Sequence, residues 1–558
     1  MDTGSISSAN NNRSPTQWLL PSIADLIFIA FLGVLAFTNL SVRLLGDAGI
    51  GWHIRTGQLI LATHSIPHVD PFSSSMAGHP WFAWEWLYDV VVGWLDQAAG
   101  LNAVVVFTAI VIAATFSWIF LLLIRRKTNL IVALLLLLFA ASASMIHFFA
   151  RPHVVTWLFA VLWLCILDRL EQSQGTSNSG AWRNRRLLFL LPLSMLIWVN
   201  VHGGFLVGFA LLAIYWLSAI WQSFRARGNH FEAVLEKLRA GKRARDLAGI
   251  AFLSAVATLV NPYGWKLHIH IYRYLSNRFL VDHIDEFQSP NFHGVAQKCF
   301  ALLLILTLLA LAADKIDDSK NHAELLLILF AAYSGLYAAR NIPVSSLLLI
   351  WVIGPKLSRA LNFVSESFTR TVAGTSKVSA ESFLQRMRAI DSGLRGHVWV
   401  IAAIAISAWI AFHGGKAGTS TLMDAHFDST RFPVASVDYV ERHNIPGPIF
   451  APDFWGGYLI YRLYPQTKVV IDDRHDLYGE PFLKSYLKTI HVEPGWQDFI
   501  DQYPANILLI PKSSALANIL LETPRWQPIY SDEVAVVFTS KTSATGNERR
   551  QKLQIPSY

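Results

Sequence analysis

Eleven apolar runs, separated by short polar stretches, constrain this chain more than any single motif does. The hydrocarbon core of a bilayer is about 30 Å thick and takes roughly 20 residues of apolar helix, with about 17 tolerated. Runs near 19–42, 101–124, 129–149, 152–170, 186–200, 203–223, 246–262, 298–313, 323–339, 342–357 and 397–413 reach or approach that length. Of the 558 residues, 53% are hydrophobic and only 15% charged, which is too apolar for a soluble chain of this size. The expected fold class is mainly α, a polytopic membrane protein with about eleven transmembrane helices.

The net charge of +8 does not make this a nucleic-acid binder, because the Lys and Arg residues sit in clusters between the runs rather than along one stripe. Two cysteines, Cys165 and Cys299, lie in or beside apolar segments and support neither a disulfide framework nor a thiolate metal site. Residues 1–18 are polar and read as a cytoplasmic tail. The run that follows is longer than a signal-peptide core and is expected to remain as the first helix.

With the N-terminus inside, the inner loops hold Arg125, Arg126 and Lys127, then Arg169, Arg183, Arg185 and Arg186, then the stretch Arg225 to Arg245, and finally Arg359 to Arg395. The outer loops carry only scattered cations: Arg55, Arg151, Lys266, Arg273, Arg278 and Arg340. This is the positive-inside pattern, and it orients the chain. An odd number of spans then places residues 415–558 outside the cytoplasm. There, PIFA (448–451), KVVID (468–472), NILLIP (506–511) and VAVVF (534–538) alternate with helix-like stretches such as 480–490, as in a small α/β domain. The expected organisation is a tail at 1–18, a transmembrane domain over 19–414 with a long first outer loop at 44–100, and a soluble α/β domain over 415–558. Residues 361–396 read as a cytoplasmic amphipathic or linker segment. The stretch Trp81 to Gly100 is apolar but carries Glu85, Asp89 and Asp96, and as a span it would invert every later loop. It reads as an interfacial helix, with Trp81, Trp84, Trp86 and Trp94 at the headgroup level.

On this topology the chemically suggestive residues share the outer face. The first outer loop opens with LLGDAGIGWHIRTGQLI (44–60), holding Asp47, His53 and Arg55, and later carries Glu85 within WEW. Arg151 and His153 lie in ARPH after the third run, Asn200 and His202 in NVHGG after the fifth, Lys266 beside NPYGW after the seventh, and Arg340 in ARN after the ninth. Acids and cations at membrane depth are expensive and usually have a function or a partner. A structural alternative stays open for each. Asp47 also suits a helix cap or a partner for Arg43, Glu85 the polar face of an interfacial helix, and His53 and Arg55 contacts to lipid headgroups. Arg151, His153 and His202 suit turn chemistry, Lys266 a solvated surface, and Arg340 pairing with Asp285 or Glu286. The run Asp472, Asp473, Arg474, His475, Asp476 follows an expected strand, where binding loops are common, and also suits a solvated turn.

The layout resembles the GT-C superfamily of membrane glycosyltransferases, in the company of bacterial lipid-linked-sugar enzymes and protein O-mannosyltransferases. The resemblance rests on Asp47 just after the first helix, Glu85 on a later loop helix, interfacial helices between them and a soluble C-terminal domain outside. It implies a transferase of the bacterial inner membrane and cell envelope that moves a hexosyl or pentosyl group, with inversion, from a polyprenyl-phosphate or polyprenyl-diphosphate sugar. The acceptor is a glycan, lipid or protein at the extracytoplasmic face. Asp47 matches the family's loop acid, the general base on the acceptor hydroxyl. The mannosyltransferases carry an Asp-Glu pair at that place, whereas Ala48 follows Asp47 here, which leaves the sugar open. Attack on the anomeric carbon needs a carboxylate, supplied by Asp47 with Glu85 as the second acid. The departing lipid phosphate needs cations or hydrogen-bond donors, for which His53, Arg55, Arg151, His153, Asn200, His202, Lys266 and Arg340 form the pool. A divalent cation bridging Asp47, Glu85 and the phosphate is compatible with the resemblance, since some members use one and others do not.

Two other classes compete. A transporter or flippase for lipid-linked sugars places polar residues and broken helices near the bilayer midplane, whereas these runs are nearly free of charge in their middles. A non-catalytic sugar-binding scaffold would put its function in the 472–476 loop and tolerate replacement of Asp47.

Overall fold

The computed structural model describes residues 19–172, 186–225, 231–313, 322–371, 394 and 396–541. The tail at 1–18 and most of the linker segment at 361–396 lie outside them, as do Arg183 and Arg185. Each of the eleven apolar runs coincides with a helix. Among the described residues six helices are long and apolar enough to cross a membrane, namely Trp86–Arg125, Leu130–His147, His153–Glu171, Gly203–Arg225, Val295–Ala313 and Ala339–Leu361. Ile23–Phe37, Leu190–Val201, His322–Tyr337 and Val398–Phe412 are apolar but shorter, and the run at 246–262 belongs to the helix Phe231–Ala257. Local chemistry starts several of them. Ser22 and Asp25 form a reciprocal capping box on Ile23–Phe37, and Asn129 caps Leu130–Ser144 through its side chain.

The first outer loop is structured throughout. A short helix, Leu40–Leu44, and a second, Gly49–Thr63, bracket the turn that holds Asp47. Helix Trp86–Arg125 breaks at Ala99 and Gly100, where Gly100 has φ +65°, and this break separates a loop helix from the span that follows. The expected interfacial helix is shorter than the sequence indicated, because residues 81–85 are not helical. Trp81 is not free to face lipid: it is buried against Trp52, Phe72 and the guanidinium of Arg474, the last 4.6 Å from its ring. Trp94, on the helix itself, is exposed.

The C-terminal region forms a four-stranded mixed sheet in the order Ile449–Phe450, Ile507–Pro511, Ala535–Ser540, Trp526–Ser531. Ile449 pairs in parallel with Ile507, Leu509 pairs antiparallel with Val537, and the edge strand Trp526–Ser531, which the sequence pattern did not reveal, pairs with Ala535–Ser540 across a bulge. The run KVVID is reduced to bridges from Val469 to Ile449 and to Ser73 of the first outer loop. Helix His475–Ile490 packs its aromatic face, Tyr478, Phe482 and Tyr486, onto this sheet in a core of its own.

Two features join the soluble part to the first outer loop. Arg474 is buried and makes a two-point pair with Asp472 as well as an ion pair with Asp70 at 2.9 Å. Helix Asp453–Leu463 also crosses helix Gly49–Thr63 on a seam without side chains, where a Cβ on Gly457 would strike the Ala48 carbonyl and one on Gly51 would strike the Gly457 carbonyl. Gly457→Val is therefore expected to destabilise the protein by about 1–3 kcal/mol through overpacking. The expected readout is a lower unfolding temperature with faster proteolysis between the membrane helices and the sheet; an unchanged unfolding temperature would show that the seam yields.

Candidate functional site

A cavity of about 420 Å3 opens beneath the soluble domain, walled by the outer ends of the apolar helices and by the first outer loop. Its apolar side is made by Trp157, Leu206, Val207, Leu275, Tyr337 and Val344, four of which belong to helices long and apolar enough to span. Its polar side collects Glu85, Asp89, His147, Arg151, His153, His202, Glu286 and Arg340, under a roof of Asp473, Arg474 and Asp476. A pocket with one apolar flank and a few convergent polar groups is the usual form of a small-molecule site.

Three segments distant in sequence meet on one guanidinium. Arg151 Nη1 lies 2.7 Å from Asp47 Oδ1 and 3.1 Å from Asp473 Oδ2. Asp47 Oδ1 also accepts from the Gly49 amide at 2.9 Å, as a turn acid does before a helix start, and Asp473 Oδ1 accepts from Trp52 Nε1 at 3.0 Å. Burial, offset by Arg151, pushes the Asp473 carboxyl up to about 6. Asp47 does not itself line the cavity; it lies behind Arg151, which does, and its partner is Arg151 rather than Arg43.

The middle of the wall is an acid between two imidazoles. Glu85, which precedes helix Trp86–Arg125, has one oxygen 3.7 Å from His53 Nε2 and the other 3.7 Å from His202 Nε2. His53 is fully buried, not at a lipid headgroup, and its Nδ1 lies 2.6 Å from Asp89 Oδ1. His202 Nδ1 accepts from the Gly204 amide at 3.0 Å and meets Thr156 Oγ1 at 2.9 Å. Burial pushes Glu85 up to about 8 and holds both imidazoles below their usual range, so all three favour the neutral form near pH 7.

At the far end Arg340 sits 3.3 Å from Glu286 and 4.5 Å from the ring of Phe287, which settles the pairing that the sequence left open between Asp285 and Glu286. Burial would raise Glu286, but Arg340 and Arg151 outweigh it and hold the carboxyl at about 2. His153 lines the cavity and bonds the His147 carbonyl at 2.8 Å. In the roof, Asp476 pairs with His270 at 2.9 Å, which keeps it below the ordinary range against the opposing effect of burial.

Of the sequence candidates, Glu85, Arg151, His153, His202 and Arg340 face one cavity, with His53 directly behind it. Four others do not, and the first of them, Asp47, lies behind Arg151. Arg55 points to the other side of its helix, where it bonds the Tyr461 carbonyl and Gln58 and lies 5.5 Å over the Tyr461 ring. Asn200 accepts from Trp86 Nε1 at 2.7 Å and donates to the Val260 carbonyl at 2.8 Å, so it joins two helices rather than serving a ligand. Lys266 is exposed and outside the cavity. Asp89, His147, Glu286, Asp473 and Asp476 were not among the candidates. Asp473 and Asp476 lie in the polar run already noted after an expected strand, and Asp89, one helical turn after Glu85, is one of the acids already noted in the apolar stretch Trp81 to Gly100.

A divalent cation does not fit these positions as arranged. Asp47 and Asp473 already converge on a cation, the Arg151 guanidinium. Among the described residues no group of three His, Cys, Asp or Glu side chains is spaced to hold a metal ion.

No protein-family model matches the sequence, and no curated protein is significantly similar to it. Similarity appears among solved structures. The oligosaccharyltransferase of Archaeoglobus fulgidus in its apo form superposes with a TM-score of 0.50 at 12% identity, over 88% of this chain and 69% of that one. The same archaeal enzyme, AglB, in complex with an inhibitory peptide and a dolichol-phosphate, superposes with a TM-score of 0.50 at 11% identity, over 88% and 68%. ArnT from Cupriavidus metallidurans in the apo state has 13% identity and a TM-score of 0.48, over 93% of this chain and 98% of its own. At these identities the likeness is one of fold. The chain shares its fold with the archaeal enzyme, and in this chain the fold combines helices long and apolar enough to cross a membrane with a small C-terminal sheet domain.

Removing the shared cation tests the cluster. Arg151→Gln leaves two acids facing each other in a partly buried site, and loss of one partner of a buried pair costs about 3–5 kcal/mol. We expect a lower unfolding temperature that largely recovers in the double variant with Asp473→Asn; equal unfolding temperatures for wild type and Arg151→Gln would show that the pairing contributes nothing.

Proposed function

We propose that this protein is a GT-C membrane glycosyltransferase that moves a sugar, with inversion, from a polyprenyl-phosphate or diphosphate donor to an acceptor hydroxyl at the extracytoplasmic face. The observation that carries the reading is the meeting of Asp47, Arg151 and Asp473 beside a cavity that is apolar on one flank and ionic on the other. A polyprenyl chain needs the apolar flank and a sugar phosphate needs the polar one. The fold supports the same class: one structure of similar fold holds a dolichol-phosphate and a peptide.

In this reading the N-terminus is cytoplasmic and the C-terminal domain extracytoplasmic, as the distribution of Lys and Arg requires. Asp47 is the general base. One of its oxygens is held by Gly49 and Arg151, which leaves the other to take the acceptor proton as the hydroxyl attacks the anomeric carbon. The bond from that carbon to the phosphate oxygen breaks with its electron pair on the phosphate. Arg151 and Arg340 are the cations placed to hold the charge that develops there.

Reconstitution with polyprenyl-phosphate sugars, followed by release of the lipid phosphate, tests this. Asp47→Asn should lower turnover about 10²- to 10⁴-fold, the span typical of a general base, with the fold intact. Equal turnover in both proteins would remove Asp47 as the base, and no turnover with any donor would reject the transferase.

A further inference from the structure

The transfer described above gives no role to Glu85, a buried acid of the cavity. Glu85 lies between His53 Nε2 and His202 Nε2, each 3.7 Å from one of its oxygens. The second nitrogen of each ring is already committed. His202 Nδ1 accepts from the Gly204 amide, so its proton is on Nε2, facing Glu85. His53 Nδ1 lies 2.6 Å from Asp89 Oδ1, and its Nε2, buried on the Glu85 side, has no hydrogen-bond partner. At 3.7 Å neither ring bonds the carboxyl, and among the described residues no side-chain hydrogen bond reaches either Glu85 oxygen. A buried carboxylate left without a hydrogen bond or a cation against it is costly, whereas a carboxylic acid is not.

The wider surroundings are mixed. Arg151 and Arg340 favour the charged form, Asp476 and Glu286 oppose it, Asp89 and Tyr88 follow on the same helix, and burial is the largest influence of all. Neither imidazole is within bonding distance, so the carboxyl proton remains available to a ligand in the cavity.

We propose that Glu85 works as a neutral carboxylic acid whose O–H donates a hydrogen bond to the phosphate of a polyprenyl phosphate bound in the cavity. His53, held by Asp89, and His202 are positioning residues that keep it so. The proposal rests on the lipid-phosphate reading given under Proposed function. A charged acid at this point would repel the anion, whereas a neutral one adds a donor without adding a negative charge.

The test is binding of farnesyl phosphate, a soluble polyprenyl monophosphate, to the full-length protein by titration calorimetry, with pH carried through the Glu85 ionisation at about 8. The probe's own second ionisation lies near ~6, so its charge is constant over that range. Wild type should lose about tenfold or more in affinity as pH rises, the size of one hydrogen bond to a charged group. Glu85→Gln, an isostere that keeps an N–H donor and cannot ionise, should bind within about threefold of low-pH wild type and lack the alkaline loss. Glu85→Ala should bind about tenfold more weakly at low pH and show no such loss. His53→Ala, which admits water to the carboxyl, should move the midpoint of the loss to lower pH. A pH-independent affinity in wild type, an unmoved midpoint in His53→Ala, Glu85→Gln binding as weakly as Glu85→Ala with an unfolding temperature equal to wild type, or no binding at any pH would each overturn the proposal. Binding as described without sugar transfer from any donor would overturn the transferase reading and leave this one standing. Transfer with pH-independent binding would overturn this one alone.

Discussion

One guanidinium holds the outer face together. Arg151, in the turn after the third apolar run, reaches Asp47 behind the first helix and Asp473 in the soluble domain, and it does so at the wall of the cavity. A cation in such a place is expensive to desolvate, and it persists only because two acids answer it. The same contact therefore fixes three things together: the distance from the first loop to the helix bundle, the seat of the C-terminal domain, and a positive charge beside an enclosed space. Arg474 repeats the device one residue on, joining Asp472 to Asp70 and stacking over Trp81, so the soluble domain is tied to the first loop rather than tethered to it.

Around that anchor the cavity sets different protonation states on similar groups. Glu286 is held ionised by two arginines, while Glu85 is kept neutral by burial between imidazoles. Asp473, which shares Arg151 with Asp47, falls between them. Two glutamates separated into an ionised and a neutral form within one pocket is the arrangement in which acids divide their roles. Here the charged groups pair at the ends of the cavity, and the neutral one occupies the middle.

Much of this was legible because membranes simplify the reading of a chain. An apolar run long enough to span must be helical, so all eleven runs, from 19–42 to 397–413, could be placed without knowing their neighbours. Several of the loop acids and cations that charge asymmetry grouped together, Glu85, Arg151 and Arg340 among them, do line one cavity. What failed did so for local reasons. Arg55 and His53 are two residues apart on one helix and so point to different sides, one to Tyr461 and the other to Asp89. Asn200 looked like a ligand in NVHGG, but the N–H of the half-buried Trp86 needed an acceptor and took it. The edge strand Trp526–Ser531 contains Pro528 and carries little apolar alternation, so its pairing shows only in the fold.

The sequence by itself determined the apolar helical architecture and the set of residue types available for chemistry, because these follow from run length and composition along the chain. The tertiary structure alone decided which of those residues meet. Asp47, Arg151 and Asp473 are far apart in sequence and share one guanidinium, and Glu85 finds its two imidazoles on different segments. The physical reason is range: hydrophobicity and charge asymmetry act on each segment locally, whereas an ion pair or a shifted proton affinity depends on which surfaces packing presses together in a water-poor space.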